Sequence, residues 1–413
     1  MSKTLTEIAQ ELKSADKKMQ LIYAFNGTGK TRLSREMKEL IAPKSEEGDE
    51  EEESTRQKFL YYNAFTEDLF YWDNDLEGNA KPKLKIQPNN FTYWLIKLLK
   101  DQGQDQNIKA NFQRYSDSMI IPLFNESYTR KEVDKNGLKI DIQVPAFSEI
   151  IFSKLDTQTK NIPINLSERV ENIKISKGEE SNFIWSIFYT LLSHVISTLN
   201  TVEEEQRDAD QFNELEYVFI DDPVSSLDEN HLIQLAVDLS NLIKSAPNQL
   251  KFVITTHNPL FYNVLYNELN NKVCFILEKH GEESFSLNNT GGDSNRAFSY
   301  HLHIKNILNE AEGDKIERFH FMLLRNLYEK TASFLGYPRW SELLPKDIDG
   351  QNKEIDNPYY NRIIQFTSHN TLSNETIAEP TPQEKQTVKF LLNHLVENYS
   401  YWKEAQEENN AAN

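Results

Sequence analysis

The run Tyr217-Val218-Phe219-Ile220-Asp221-Asp222 constrains this chain more than any other stretch. Four apolar, β-prone residues ending in two carboxylates predict a buried parallel strand. Such a strand carries its acids to the carboxyl edge of an open α/β sheet, where these sheets bind ligands. A metal ion accompanying a nucleotide belongs at that edge. Pro223 to Asp228 turns the chain, and Asn230 to Ile243 carries it away with Leu232, Leu235, Ala236, Leu239 and Leu242 at helical spacing.

Upstream, Leu21-Ile22-Tyr23 predicts a short strand, followed by Ala24-Phe25-Asn26-Gly27-Thr28-Gly29-Lys30-Thr31 and a helical run through Leu40. Strand, small-residue loop and helix are the context of a phosphate-binding loop: glycines let backbone N–H groups approach phosphates, and the helix N-terminus adds a favourable dipole. Lys30 is placed to reach β- and γ-phosphates, and Thr31 to ligate Mg²⁺. Ala24 stands where the usual pattern begins with glycine. Phe59 to Asn63 predicts a second strand, with Asn63 or Gln57 as candidates for a polar residue linking nucleotide to a neighbouring domain. Ser176, Lys177, Gly178 and Glu179 open a long apolar helix. They read either as a phosphate-facing helix N-terminus or as an N-cap with a capping box, and the same N–H groups serve both. Lys251 to Thr256 is one more apolar strand, ending at His257.

In this order the stretches resemble the heads of the ATP-binding-cassette (ABC) ATPases, with Ser225-Ser226-Leu227-Asp228 similar to the D-loop. The resemblance implies that Asp221 holds magnesium through water and that Asp222 occupies the place of a catalytic glutamate. Being one methylene shorter, Asp222 suits slow hydrolysis. It further implies that His257 contacts the γ-phosphate, that Ser176 to Glu179, with Lys177 in place of a glycine, face nucleotide held by a second subunit, and that heads pair head to tail.

At 413 residues the chain is long enough for two domains. The expected division is 1–277, an α/β ABC-type head with a mixed/parallel sheet, and 278–413, smaller and mostly α-helical. Residues 45–54, which include Glu46 to Glu53 with every position but Gly48 acidic, read as a solvated loop inside the head. No heptad run suggests coiled-coil arms. A single cysteine, Cys274, excludes an internal disulfide framework and fits a reducing cytoplasm. The charged Met1–Lys18 stretch lacks the apolar core of a signal peptide. Phe183 to Leu199 is interrupted by Ser186, Ser193, His194 and Ser197, which favours a buried helix and no membrane partner. A net charge of −19 argues against non-specific nucleic-acid binding by the whole surface.

Beyond Leu277, residues 281–295 read as a loop. Helices are expected at Phe298–Ala311, Ile316–Leu335, Tyr359–Thr367 and Gln383–Glu407, with a loop from Gly336 to Pro358. Arg325 and Glu329 share one helix face, and His369 lies in a polar segment downstream. A base, an acid and a cation suffice to cleave RNA through its own 2′-OH. On spacing alone, Arg and Glu at i, i+4 are a common surface pair.

Tyr23-Ala24-Phe25-Asn26 with Thr28-Gly29-Lys30-Thr31, Tyr61-Tyr62-Asn63-Ala64-Phe65, Ser176-Lys177-Gly178-Glu179-Glu180-Ser181-Asn182 and Arg325-Asn326-Leu327-Tyr328-Glu329 together resemble the PrrC-type bacterial anticodon nucleases over nearly the whole length. That resemblance implies a ribonuclease cutting tRNA-Lys 5′ of its wobble base, without a metal for the RNA step, through Arg325, Glu329 and His369. Asp293, Ser294 and Asn295 would read the anticodon, although Thr290 and Gly291 stand where lysine and tyrosine are expected. It also implies silencing by a type I DNA restriction–modification complex, release during phage infection, and GTP or ATP hydrolysis with Mg²⁺ as the trigger, with dTTP bound by the same heads. The alternative is an ABC-type DNA repair or recombination ATPase whose C-terminal domain only docks.

Overall fold

The computed structural model describes residues 2–43, 58–63, 68–73, 82–116, 120–133, 139–155, 169–201, 212–223, 229–270, 272–290, 300–311, 315–345, 357–367 and 380–399. The chain divides into two compact units, Met1–Ala297 and Phe298–Asn413.

The first unit opens with α1 (Leu5–Ser14). Its N-terminus is fixed by a capping box between Thr4 and Glu7, and it buries Leu5, Ile8, Ala9 and Leu12, an i, i+3, i+4, i+7 stripe. β1 (Met19–Tyr23) follows, buried at every position, then α2 (Lys30–Ile41) and β2 (Phe59–Tyr62). Next come β3 (Phe70–Asp73), β4 (Lys83–Ile86), α3 (Asn90–Asp101), α4 (Asp105–Tyr115), β5 (Ile120–Phe124), β6 (Tyr128–Val133), β7 (Lys139–Val144), β8 (Glu149–Leu155) and β9 (Arg169–Ile173). The unit closes with α5 (Lys177–Leu199), β10 (Tyr217–Asp221), α6 (Glu229–Ser245), β11 (Lys251–Thr256), α7 (Pro259–Glu268), β12 (Lys272–Lys279) and β13 (Phe285–Asn289).

The main sheet runs β13-β12-β1-β11-β10-β2, parallel from β12 to β2, with β13 antiparallel at one edge. Because β11 lies between β1 and β10, the chain leaves three neighbouring strands side by side at Tyr23, Thr256 and Asp221. The carboxyl edge expected from the sequence is therefore assembled from three distant segments. A second, antiparallel sheet runs β3-β4-β8-β5, with β9 also on β8, and β6 and β7 form a separate hairpin.

α5 is long and apolar enough to cross a membrane, but 78% of its apolar window is buried in the protein. Three of its buried polar side chains bond to nearby backbone carbonyls. Ser186 Oγ donates to Asn182 O and Thr190 Oγ1 to Ser186 O, both at 2.7 Å, while Asn182 Nδ2 donates to Tyr115 O at 3.0 Å.

The loop expected over 281–295 contains β13, and the first unit runs to Ala297 rather than ending at 277. The cause is a period-two pattern hidden among polar residues. Phe285 and Leu287 point inward, β13 pairs with β12, and Phe285 also bridges to Lys3.

The second unit contains α8 (Tyr300–Glu310), α9 (Arg318–Leu335), a 3₁₀ turn at Trp340–Leu343, α10 (Pro358–Thr367) and α11 (Pro382–Asn398). Its core includes Ile304, Leu308, Phe321, Leu324, Leu327, Ile363 and Leu391. Gly336, at φ 78°, ends α9 in the left-handed conformation that glycine adopts most readily. Thr381, Pro382 and Glu384 start α11 through a capping box. The 3₁₀ turn lies inside the stretch expected to be loop, and α10 and α11 lie within about one residue of their expected starts.

Candidate functional site: a phosphate loop and a charged helix face

Gly27 and Gly29 have φ of 81° and 97°, a backbone course that a side chain would oppose. Gly29 is also pressed from below: a Cβ there would lie 3.4 Å from Leu5 Cδ1 and 3.5 Å from Phe285 Cε1. Lys30 folds over the loop, with Nζ 3.2 Å from Ala24 O, 3.3 Å from Phe25 O and 3.2 Å from Asn26 Oδ1. It also stands 3.4 Å from Asp222 Oδ2. The ammonium thus sits among carbonyl and carboxylate oxygens, the surroundings that incoming phosphate oxygens would replace.

At the neighbouring strand ends, Asp221 accepts Thr31 Oγ1 on one oxygen and Thr255 Oγ1 on the other, each at 2.6 Å. Burial pushes its carboxyl above the usual range. Asp222 adopts φ 53°, an uncommon course for a non-glycine residue and one that accumulates at functional sites. Its carboxylate receives Thr256 Oγ1 and the His257 N–H at 3.3 Å and lies 2.5 Å from His257 Nδ1. Burial opposes its ionisation, but the His257 hydrogen bond and the Lys30 charge outweigh burial and hold the carboxyl below its usual range.

Hydroxyl and carboxylate oxygens converging beside a phosphate loop fit Mg²⁺, a hard cation that takes few protein ligands and keeps phosphate and water oxygens. Three supports lay outside the sequence reading. Thr255 and Thr256 each hold one of the paired acids. Tyr61 OH lies 2.6 Å from Ser34 Oγ and 2.9 Å from Asn63 Nδ2, and burial drives its pKa up to about 12. Asn63, at the end of β2, belongs to this cluster, whereas Gln57 lies outside the described residues.

Ser176 caps α5. Its Oγ accepts the Glu179 N–H at 3.3 Å, and Glu179 Oε2 accepts the Ser176 N–H at 2.8 Å, so the capping box is formed. Lys177, with its side chain 63% exposed, pairs with Glu180 at 2.8 Å. Glu180 also accepts Trp72 Nε1 at 2.9 Å, which anchors this helix start to β3.

In the second unit, Arg325 Nε donates to Glu329 Oε1 at 2.7 Å. The guanidinium carbon lies 6.0 Å from the centre of the Trp340 ring. Elsewhere in this unit, His320 accepts the Glu317 N–H at 2.9 Å and His394 lies 3.2 Å from Leu343 O. Burial lowers the pKa of both.

A curated "Anticodon nuclease" from Escherichia coli is 54% identical over 428 aligned positions, covering 98% of this chain and 99% of its own. The chain belongs to the anticodon nuclease family. No protein-family model matches it. Among solved structures, an SMC head bound to the C-winged helix domain of ScpA aligns with 11% identity and TM-score 0.28, and the SMC head domain from Thermotoga maritima with 12% and 0.25. Each covers 67% of this chain and 91% of that chain. At such scores the fold rests on the strand order and phosphate loop above. Of the residues that anticodon nuclease membership singled out from the sequence, Arg325 and Glu329 meet on α9. His369, the anticodon-reading Asp293, Ser294 and Asn295, the D-loop Asp228 and the acidic stretch 45–54 lie outside the described residues.

Proposed function

We propose that the chain is a nucleotide-gated anticodon nuclease in which the first unit binds nucleotide and the second cuts tRNA. The near full-length identity to a curated anticodon nuclease carries this reading. The first unit supports it with a phosphate loop, a threonine and two carboxylates at one sheet edge.

In the head, Asn26, Gly27, Thr28 and Gly29 offer backbone and side-chain donors to phosphates, Lys30 supplies charge, and His257 holds Asp222 at the γ-phosphate side. Thr31 and Asp221 would hold Mg²⁺, which with bound GTP or ATP neutralises phosphate charge; dTTP would fit the same loop. Ser176, Lys177, Gly178 and Glu179 would complete the site of a second copy, with Asp228 beside it, giving a head-to-tail pair.

In the second unit, one of Glu329 and His369 takes the 2′-OH proton as the 2′-oxygen attacks the adjacent phosphorus. The other protonates the departing 5′-oxygen, and Arg325 stabilises the charge that builds on the phosphorane. The bond balance leaves a 2′,3′-cyclic phosphate and a 5′-hydroxyl. The substrate is tRNA-Lys, cut 5′ of the wobble base and read through Asp293, Ser294 and Asn295. The silencing partner is a type I DNA restriction–modification complex, which makes the activity an anti-phage response.

The test is incubation of purified protein with total tRNA, Mg²⁺ and GTP or ATP, followed by mapping of fragment ends. Anticodon-loop fragments ending in a cyclic phosphate are expected. Intact tRNA alongside nucleotide hydrolysis would overturn the nuclease assignment.

A further inference from the structure

We propose that Trp340 is a positioning residue for Arg325, holding the guanidinium so that its donors face one direction before substrate arrives. This rests on the reading of Arg325 and Glu329 as part of the cleaving site. An exposed i, i+4 ion pair alone restrains two long side chains weakly, and Arg325 and Glu329 are 34% and 41% exposed. A cleaving site needs tighter placement than that, because its electrostatic benefit comes from groups already aimed at the reacting atoms.

Two different restraints meet on this guanidinium. Glu329 accepts from Nε at 2.7 Å, and the Trp340 ring lies 6.0 Å away, within the range at which an aromatic face attracts a cation. The hydrogen bond limits rotation of the fork, and attraction to the ring biases its tilt.

The indole is itself anchored. Tyr360 of α10 stacks on it at 5.2 Å and 24°, and Tyr328 meets it edge-on at 6.3 Å and 73°. Tyr328 is buried and donates through its hydroxyl to Leu391 O at 2.8 Å, so the stack is tied to α11. Behind Trp340 the 3₁₀ turn is pinned by buried Ser341 and Leu343. The guanidinium therefore leans on a ring held by three helices, an arrangement beyond what packing of a solvent-facing arginine requires.

The experiment compares W340F, which keeps an aromatic face, with W340L, which keeps apolar bulk without one, in the full-length protein with Mg²⁺ and nucleotide. Single-turnover tRNA cleavage, tRNA affinity and melting temperature are measured, with Arg325→Ala and Glu329→Ala in parallel. W340L is expected to slow cleavage by roughly two- to fivefold, the rate equivalent of a cation–π contact at an exposed site. W340F should cut at close to the rate of the unsubstituted protein, a rescue that separates a ring face from bulk. Affinity for tRNA should be nearly unchanged in both, and each should remain folded at the assay temperature although W340L loses the ring contacts to Tyr328 and Tyr360 and melts lower. Three outcomes overturn the proposal: full cleavage by W340L, equal loss in both variants, or loss that merely follows unfolding at the assay temperature. If Arg325→Ala and Glu329→Ala cut normally, the underlying site assignment fails instead, whatever Trp340 does.

Discussion

The two units hold their charged groups by opposite means. In the first, Asp221 is buried at the end of a central strand, and its hydroxyl partners come from 190 residues upstream and 34 downstream in the sequence. In the second, Arg325 and Glu329 lie one helical turn apart and remain partly exposed. A site assembled from distant strand ends is pre-formed by the whole sheet and strained where Asp222 turns left-handed. A site on a helix face takes little from stability, and aromatic neighbours must supply its rigidity. The first arrangement suits a nucleotide sensor and the second a surface that must admit a folded RNA.

The strongest challenge to this contrast is replacement of Arg325 or Glu329 by alanine. Cleavage should fall about 10²- to 10⁴-fold, while melting and nucleotide binding barely move, since exposed pairs contribute at most about 1 kcal/mol. tRNA fragments on a gel and a calorimetric scan check both halves, and normal cutting would dissolve the assignment.

Lys30→Ala should weaken Mg-nucleotide binding about ten- to a hundredfold, as expected for lost charge-assisted hydrogen bonds, with titration calorimetry as the check. Leu327→Ala, at a fully buried position of the second core, should destabilise that unit by about 2–5 kcal/mol. Nucleotide binding by the first unit should persist, and its loss at the same temperature would show that the units melt as one.

The smallest effect concerns Asp221→Asn. The folded-state carboxyl titrates above its unfolded value of 3.8, so the buried charge opposes folding once both states are ionised. The variant should melt higher than the unsubstituted protein at pH 7 without nucleotide. That advantage should disappear as the pH falls below 3.8, where both states are protonated. Stabilisation by Mg-nucleotide should also be lost, and an unchanged response to Mg-nucleotide would remove Asp221 from the site.

Much of the first unit is legible in the sequence because its chemistry sits in short contiguous runs. Gly27 to Thr31 follows an apolar strand after three residues, Asp221 ends one, and Asp222 and His257 each stand just past one. The threonines supporting those acids are harder to see. Thr255 and Thr256 bond Asp221 and Asp222 only because β11 inserts between β1 and β10, an adjacency that no single strand reveals. β13 hides because its two inward residues, Phe285 and Leu287, stand among serine and asparagine. In the second unit the helices follow from periodicity, whereas the role of Arg325 and Glu329 does not, since the same pair decorates ordinary surfaces. Trp340 was concealed by Pro338 and Pro345, which mark its surroundings as loop while one 3₁₀ turn presents its ring to α9.

The floor beneath Gly29 has implications for synthesis of the protein. Leu5 leaves the ribosome some 280 residues ahead of Phe285, which lies beside it under the loop and emerges only after nearly the whole first unit. β1 likewise waits for β11 and β12, its two flanking strands. A nascent chain therefore cannot complete the packing beneath this glycine loop early in translation. The loop's floor is thus finished only shortly before the helix that carries Arg325 and Glu329 is made.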